Sequence, residues 1–219
     1  MSGALTLALE AATSTGSVAV LRGSELLASR EVAMRGGAEE HLLPAIDAAL
    51  REAGVTSHDL SRVVCGAGPG SFTSLRVSAS LAKGIAFAHS LPLFAVPSLA
   101  LIAADPALAD GAYVAILDAL RDEVFAAAYL RDGDAVTELA RVRLVPRVGL
   151  AHEAAQLHAA VIGPAEHPRT APRAANVTRL GAWLERPPVS LAAWEPSYGR
   201  LAEAQVKWEL AHGRPLTVP

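Results

Sequence analysis

The chain has 219 residues, of which 52% are hydrophobic and 19% charged, with a formal net charge of −3 and a pI near 6.2. That length holds one large domain or two small ones, the apolar content excludes disorder, and the mild acidity excludes a general pull on nucleic acid or membrane. One cysteine, Cys65, excludes a disulfide framework and a multi-cysteine zinc site. Lying in the apolar run Arg62 to Gly66, it reads as a buried strand thiol. No basic leader opens the sequence, and the most apolar stretch, Leu75 to Leu93, is interrupted by Arg76, Lys83 and His89. A cytoplasmic location without membrane contact is therefore expected.

Three strands open the chain: Leu5 to Glu10, Ser17 to Arg22 and Glu25 to Ala33, the last two joined by a tight Arg22-Gly23-Ser24 turn. A helix from about His41 to Ala53 follows, with Leu42, Leu43, Ile46, Ala49, Leu50 and Ala53 at helical spacing. Glu39 and Glu40 suit its N-terminal dipole, Pro44 fits only its first turn, and Gly54 ends it. A strand at Arg62 to Cys65, a long helix, a strand at Leu91 to Val96 and a short helix from Ser98 complete the first half.

The second half begins in the same way. Strands are expected at Val114 to Asp118, Val124 to Arg131 and Ala135 to Val145, with a turn at Asp132-Gly133-Asp134. Glu10 and Asp118 end the two first strands, and the hairpin turns lie about half the chain apart, so the unit is duplicated. Two lobes follow, at 1–104 and 105–219, the second a reduced repeat of the first. By analogy this is the α/β plan of the actin, Hsp70 and sugar-kinase superfamily, the ribonuclease H-like duplicated fold, in which a mixed sheet is flanked by helices. Beyond Val145 the expectations are a strand at Ala159 to Ile162, a loop from Gly163 to Arg173, a helix around Val177 to Leu184 and a last helix around Leu201 to His212.

The loop Gly66-Ala67-Gly68-Pro69-Gly70-Ser71 lies between a strand and a helix, where phosphate-binding loops sit. A Walker A loop needs Lys and then Ser or Thr after its last glycine, but Ser71-Phe72-Thr73 stand here. A G-x-G-x-x-G turn would need glycine at Ser71, and a nucleophile elbow would need it at Pro69 and Thr73. Ser80-Leu81-Ala82-Lys83 fits S-x-x-K without the S-D-N or K-T-G partners of penicillin-binding chemistry. The glycines therefore permit a tight turn, with Ser71 or Thr73 capping the helix. Along that helix Ser74, Ser78, Ala82 and Ala86 recur every fourth residue. Such a stripe admits a close helix neighbour, either from a partner or within the lobe. Leu75, Ala79 and Ile85 flank it.

At these residues the sequence resembles the TsaB (YeaZ) family, the bacterial partner of the TsaD threonylcarbamoyl transferase. The family's G-P-G-S-F-T-G-L-R and A-K-G-L-A segments are matched by Gly68 to Arg76, with Ser74 in place of a glycine, and by Ala82 to Ala86. Looser matches are Leu9 to Thr13 with Ser17 to Val20, Ala38 to Pro44 with its histidine displaced, Asp118 to Phe125, and Pro196-Ser197-Tyr198-Gly199-Arg200. The resemblance implies an actin-like fold and membership of the complex that installs threonylcarbamoyl on tRNA adenosine. In that complex TsaD holds the metal and the transfer chemistry, a TsaE ATPase joins, and TsaC supplies threonylcarbamoyl-adenylate. It further implies pairing with TsaD, or with a second copy as a homodimer when TsaD is absent, through the first two helices, with tRNA touched only indirectly. The docking residues expected on this basis are Leu42, Leu43, Ile46, Leu50, Ser71, Phe72, Ser74, Leu75, Ser78, Ala82, Ile85 and Ala86.

A catalytic centre is not expected, nor a cofactor or metal of the chain's own. A nucleotide-using member of the superfamily needs an aspartate at the end of each first strand, followed by glycine and a hydroxyl, to hold metal-bound phosphates. Here Glu10-Ala11-Ala12-Thr13 and Asp118-Ala119-Leu120 stand instead, leaving Glu10, Thr13 and Asp118 as a vestigial nucleotide site. A peptidase metal site needs paired histidines, yet His41 stands alone and His152 and His158 are six apart. Arg141, Arg143 and Arg147 lie on one strand face, where they could touch tRNA phosphates, but a solvated strand edge is the favoured reading. The rival expectation is a self-sufficient nucleotide-dependent enzyme of the actin or sugar-kinase type.

Overall fold

The computed structural model describes residues 3–34 and 41–199, together with Gly213. The expected helix at Leu201 to His212, the dipole role of Glu39 and Glu40, and Arg200 of the Pro196 motif lie outside the described residues. The first sheet runs β1 (Leu5–Glu10), β2 (Thr15–Arg22), β3 (Glu25–Ala33), β4 (Arg62–Gly66) and β5 (Leu93–Val96), in the spatial order β3-β2-β1-β4-β5. The first three strands form an antiparallel meander, and β4 and β5 run parallel to β1. The second sheet is β6 (Gly111–Asp118), β7 (Glu123–Asp132), β8 (Ala135–Pro146) and β9 (Ala160–Ile162), in the order β8-β7-β6-β9. Again there is a meander with a fourth strand parallel to the first. The duplicated unit is thus present in both halves, and among the described residues the second copy has four strands to the first one's five.

Helix α1 (Leu42–Glu52) and helix α2 (Phe72–Ala88) share one core with β1, β2 and β4, in which Leu7, Leu9, Val18, Val63 and Cys65 meet Leu42, Ile46, Ala82 and Ala86. Helix α1 ends as its sequence requires: Gly54 takes φ +66° and donates to Arg51 O, while Val55 donates to Leu50 O. That is a Schellman cap. Helix α2 closes with the same two bonds, from Ser90 to Phe87 O and from Leu91 to Ala86 O, although Ser90 is not glycine and sits at φ 53°.

The opposite face of the first sheet belongs to a second core that runs through both halves of the molecule. At its centre is α3 (Ser98–Ala103), all six of whose residues are buried. Leu99, Leu101 and Ile102 share a cluster with Ala8, Ala19 and Val64 of the first sheet and with Ala115, Leu117, Phe125 and Tyr129 of the second. Polar ties follow the same seam. The N–H of Ala174 donates to Ser17 Oγ at 2.9 Å, Asn176 Nδ2 donates to Leu101 O at 2.9 Å, and Arg173 Nη1 reaches Asp105 Oδ2 at 3.3 Å.

Those ties explain one difference from expectation. The single helix expected at Val177 to Leu184 is a 3-10 helix at Ala174–Arg179 followed by the short α5 (Gly181–Leu184). Satisfying Ser17 and Leu101 O fixes the backbone at Ala174 and Asn176. Helix α4 (Leu150–Gln156) was not expected; it starts after Gly149 at φ 88° and is capped by His158 at φ 50° in place of a glycine.

The last described stretch returns to the first sheet. Val189 N–H donates to Leu93 O of the edge strand β5, and Ser197 N–H donates to Ala67 O of the glycine loop, both at 2.8 Å.

Because Leu99 is fully buried in the core that both sheets share, Leu99→Ala is expected to cost about 2–5 kcal/mol. Denaturant unfolding followed by tryptophan fluorescence and by far-UV circular dichroism should still give one coincident transition. Two separated transitions would show that the halves have independent cores.

Candidate functional site

Strand β1 ends at Glu10, whose side chain is fully buried. One carboxylate oxygen accepts the Ala12 N–H, and the other accepts the Ser98 hydroxyl at 2.9 Å. Ser98 Oγ in turn accepts the Gly68 N–H at 3.1 Å. One carboxylate therefore joins the end of β1, the start of α3 and the glycine loop. Gly66 is where the arrangement needs glycine: a Cβ there would lie 1.8 Å from Glu10 Oε2.

The rest of the loop is equally engaged. Ala67 N–H donates to Val96 O, and Ser71 N–H donates to Ala12 O at 2.7 Å. A Cβ at Gly70 would meet Ala12 O at 2.2 Å, and one at Gly68, already at φ +83°, would meet Ser197 O at the same distance. These glycines let three backbone segments touch, and the Ala67, Gly68 and Ser71 amides are spent inside the protein. Ser71 stands at the N-cap of α2 without a side-chain capping bond, its hydroxyl meeting that of Ser74 at 3.0 Å.

In the second repeat Asp118 Oδ1 accepts the Leu120 N–H at 3.2 Å, two residues on, just as Glu10 accepts that of Ala12. The turn it caps holds Leu120, Arg121 and Asp122 at φ 63°, 57° and 59°, a left-handed run that costs energy in each of these residues. Between the two carboxylate-capped turns lies a cleft of about 710 Å³, lined among others by Thr13, Phe72, Asp118, Leu120, Phe125 and Tyr198. Thr13 donates its hydroxyl to Thr15 O. Tyr198 packs on Phe72 with ring centroids 4.5 Å apart. Of the three arginines read as a strand edge, Arg143 pairs with Glu153 and Arg147 pairs with Glu166 on the rim of the cleft.

The structure thus brings Thr13 and Asp118 to one cleft and holds Glu10 out of it. These residues fit a metal-bound nucleotide poorly, because Glu10 is enclosed with both oxygens accepting hydrogen bonds, which leaves Asp118 as the one strand-end carboxylate facing the cleft. Among the described residues, no group of three or more His, Cys, Asp or Glu is placed to hold a metal ion. His152 instead bonds Gln156 at 3.1 Å. Burial pushes Glu10 up to about 7 from an ordinary 4.5, against the opposing pull of its hydrogen bonds. Burial, and then the nearby Glu10 charge, push the Cys65 thiol up to about 12, so it is an inert core thiol.

The expected docking residues divide by burial. Leu43 and Phe72 are exposed, at 51% and 40%, and Ser71 and Ile85 are half-buried. Leu42, Ile46, Leu50, Ser74, Leu75, Ser78, Ala82 and Ala86 are buried. Those eight do not form a surface. The small-residue stripe is the seam between α2 and its own sheet, with Ser78 Oγ bonding Leu75 O and touching Cys65 Sγ at 3.9 Å. The exposed face of α2 lies further round the helix, at Thr73, Arg76, Ser80, Gly84 and Phe87. A Cβ at Gly84 would meet open space, and Phe87 is 78% exposed. Sequence reasoning missed Ser98 and the packing of Trp194 and Tyr198 on α2, for which the Pro196 motif was the available signal.

The two sheets, the repeated carboxylate-capped turns and the cleft between them define a duplicated actin-like α/β protein. The family model described as TsaD, tRNA N6-adenosine threonylcarbamoyltransferase, matches residues 31–169. The chain is 28% identical to the tRNA threonylcarbamoyladenosine biosynthesis protein TsaB of Bacillus subtilis, over 92% of this chain and 96% of that one. It is 33% identical to an uncharacterized protein of Mycobacterium tuberculosis, over 91% and 93%. The solved structure of YeaZ from Pseudomonas aeruginosa superposes with a TM-score of 0.75 at 26% identity, covering 89% of this chain and 99% of that one. The chain belongs to the TsaB (YeaZ) family.

Between pH 4.5 and about 7 the folded state keeps a proton on Glu10 that the unfolded chain has released. Stability from this group is therefore full below pH 4.5 and is lost as pH rises through about 7. Glu10→Gln is expected to flatten that part of the profile, measured as urea midpoints from pH 4 to pH 8. An unchanged slope in the variant would place the titration elsewhere.

Proposed function

We propose that this chain is a non-catalytic subunit of tRNA threonylcarbamoyladenosine biosynthesis that pairs with a TsaD-type transferase and stabilises it by helix packing. Residues 1–104 act as the docking lobe and 105–219 as a reduced repeat. The observation that carries this reading is the outer face of α1 and α2. Leu43 on one helix and Phe72 and Phe87 on the other are exposed, and Gly84 between the two phenylalanines leaves room for a helix backbone to approach closely. Large apolar side chains left exposed on two helices favour a protein contact over solvent. Relatives named TsaB support the pathway, and the turn-capping of Glu10 and Asp118 supports the absence of chemistry of its own.

A TsaE-type ATPase joins through the complex, and without TsaD the same face pairs with a second copy. With a net charge of −3, contact with tRNA is indirect. The rival reading, a nucleotide-dependent enzyme, would be favoured if calorimetry showed tight ATP-magnesium binding by the isolated chain that Asp118→Ala removes.

On co-expression with a TsaD-type subunit, Gly84→Arg and Ser80→Arg are expected to reduce co-purification about tenfold or more, since a buried unpaired charge at an interface costs several kcal/mol. Both variants should keep the melting temperature of the wild type, because the two positions face solvent. Ser74→Arg, at 2% exposure, should instead unfold the lobe. Full pairing by Gly84→Arg would remove this face as the docking surface.

A further inference from the structure

A second pocket, of about 260 Å³, lies at the end of the first sheet away from the cleft. It opens where β1 and β4 begin, beside the β2–β3 turn, and is roofed by the 3-10 helix Ala174–Arg179 and α5. Its lining includes Thr6, Ser24, Arg62, Thr178, Gly181 and Glu185. Thr6 is 1% exposed and accepts Arg62 Nε at 2.8 Å across the parallel β1–β4 pair, in which the two residues are register partners. That bond fixes the direction of a half-buried guanidinium.

Among the described residues no carboxylate lies within ion-pair distance of Arg62, whereas Arg30, Arg51, Arg131, Arg143, Arg147, Arg173 and Arg179 each have one. Burial of the Arg62 guanidinium works against its charge with nothing to offset it. A half-buried cation without a counter-charge is only partly solvated, and an anion beside it would offset what burial costs. Glu185 sits on the pocket wall, exposed, without reaching Arg62.

We propose that this pocket binds a small oxyanion, a phosphate or a carboxylate group, on Arg62, with the hydroxyls of Ser24 and Thr178 as further donors. The guanidinium offers a planar fork of N–H donors suited to two oxygens at once. The pocket, of about 260 Å³, has room for such a group beside Arg62. Glu185, exposed on the same wall, repels the anion and so lowers the affinity without supplying a ligand.

The test is isothermal calorimetry of the full chain with sodium phosphate and, separately, sodium acetate, at fixed ionic strength against a chloride control. Melting temperatures are followed in parallel. Saturable binding of either anion is expected, weakened about tenfold or more by Arg62→Met, in line with loss of a charge-assisted hydrogen-bond pair. Arg62→Lys should retain part of the affinity, and Glu185→Gln should tighten it; the stronger of the two anions identifies the group. Circular dichroism and the anion-free melting temperature separate loss of binding from loss of fold. Equal titrations of the wild type and Arg62→Met would mean adventitious surface binding and overturn the proposal. So would the absence of binding together with a lower melting temperature for Glu185→Gln, which would make Glu185 the partner of Arg62.

Discussion

The buried carboxylate of Glu10 sets the geometry on which the N-terminal half depends. Placing it at the end of β1 requires donors, and Ala12 and Ser98 supply them. It also requires an absent side chain on the neighbouring strand, met at Gly66. Once Ser98 is oriented toward Glu10, its hydroxyl is positioned to receive Gly68, and the loop closes onto β1 through Ser71 and Ala12. The glycines that look like a phosphate cradle are thus explained by one acid that water does not reach. Satisfying a buried polar group consumes the amides that a ligand would have used.

A second constraint is the shared core around α3. Actin-like proteins that work on nucleotides are built to let two lobes move against one another, as hinge closure requires. Here a helix with every residue buried sits in a core to which both sheets contribute, and Ala174 and Asn176 are tied to Ser17 and Leu101. The exposed Glu31–Arg173 pair adds little beside this packing. The two halves thus share a core as well as polar ties, an arrangement in keeping with the proposed role of a subunit that offers a fixed surface.

Much of this was legible in the sequence because alternation and turn chemistry coincide. The spans of β1 and β3, the Gly23 and Gly133 turns and the Gly54 cap follow from local rules, and so does the repeat. What was not legible follows from two physical causes. Ser90 and His158 take left-handed caps that a reader expects glycine to fill, so α4 had no visible end. Helix α2 carries small residues on two faces, Ser74, Ser78, Ala82 and Ala86 inward and Ser80 and Gly84 outward, at the same spacing. Periodicity alone does not tell which set meets the sheet. Only the tertiary position of Cys65 beneath Ser78 decides it.

The returning strap has a consequence for how the chain is made. Trp194 packs on the first core beside Lys83, Ser197 bonds Ala67, and Gly199 lies against Pro69 and Phe125. Domains fold as they emerge from the ribosome, N-terminal part first. In this chain the first sheet emerges early, but its edge at β5 and its glycine loop are covered only once Val189 and Ser197 have been made. Until then the open edge of β5 is a template for strand pairing between nascent chains. The interval between synthesis of Leu93 and of Val189 is therefore the period of greatest aggregation hazard, and truncation ahead of the strap would make that hazard permanent.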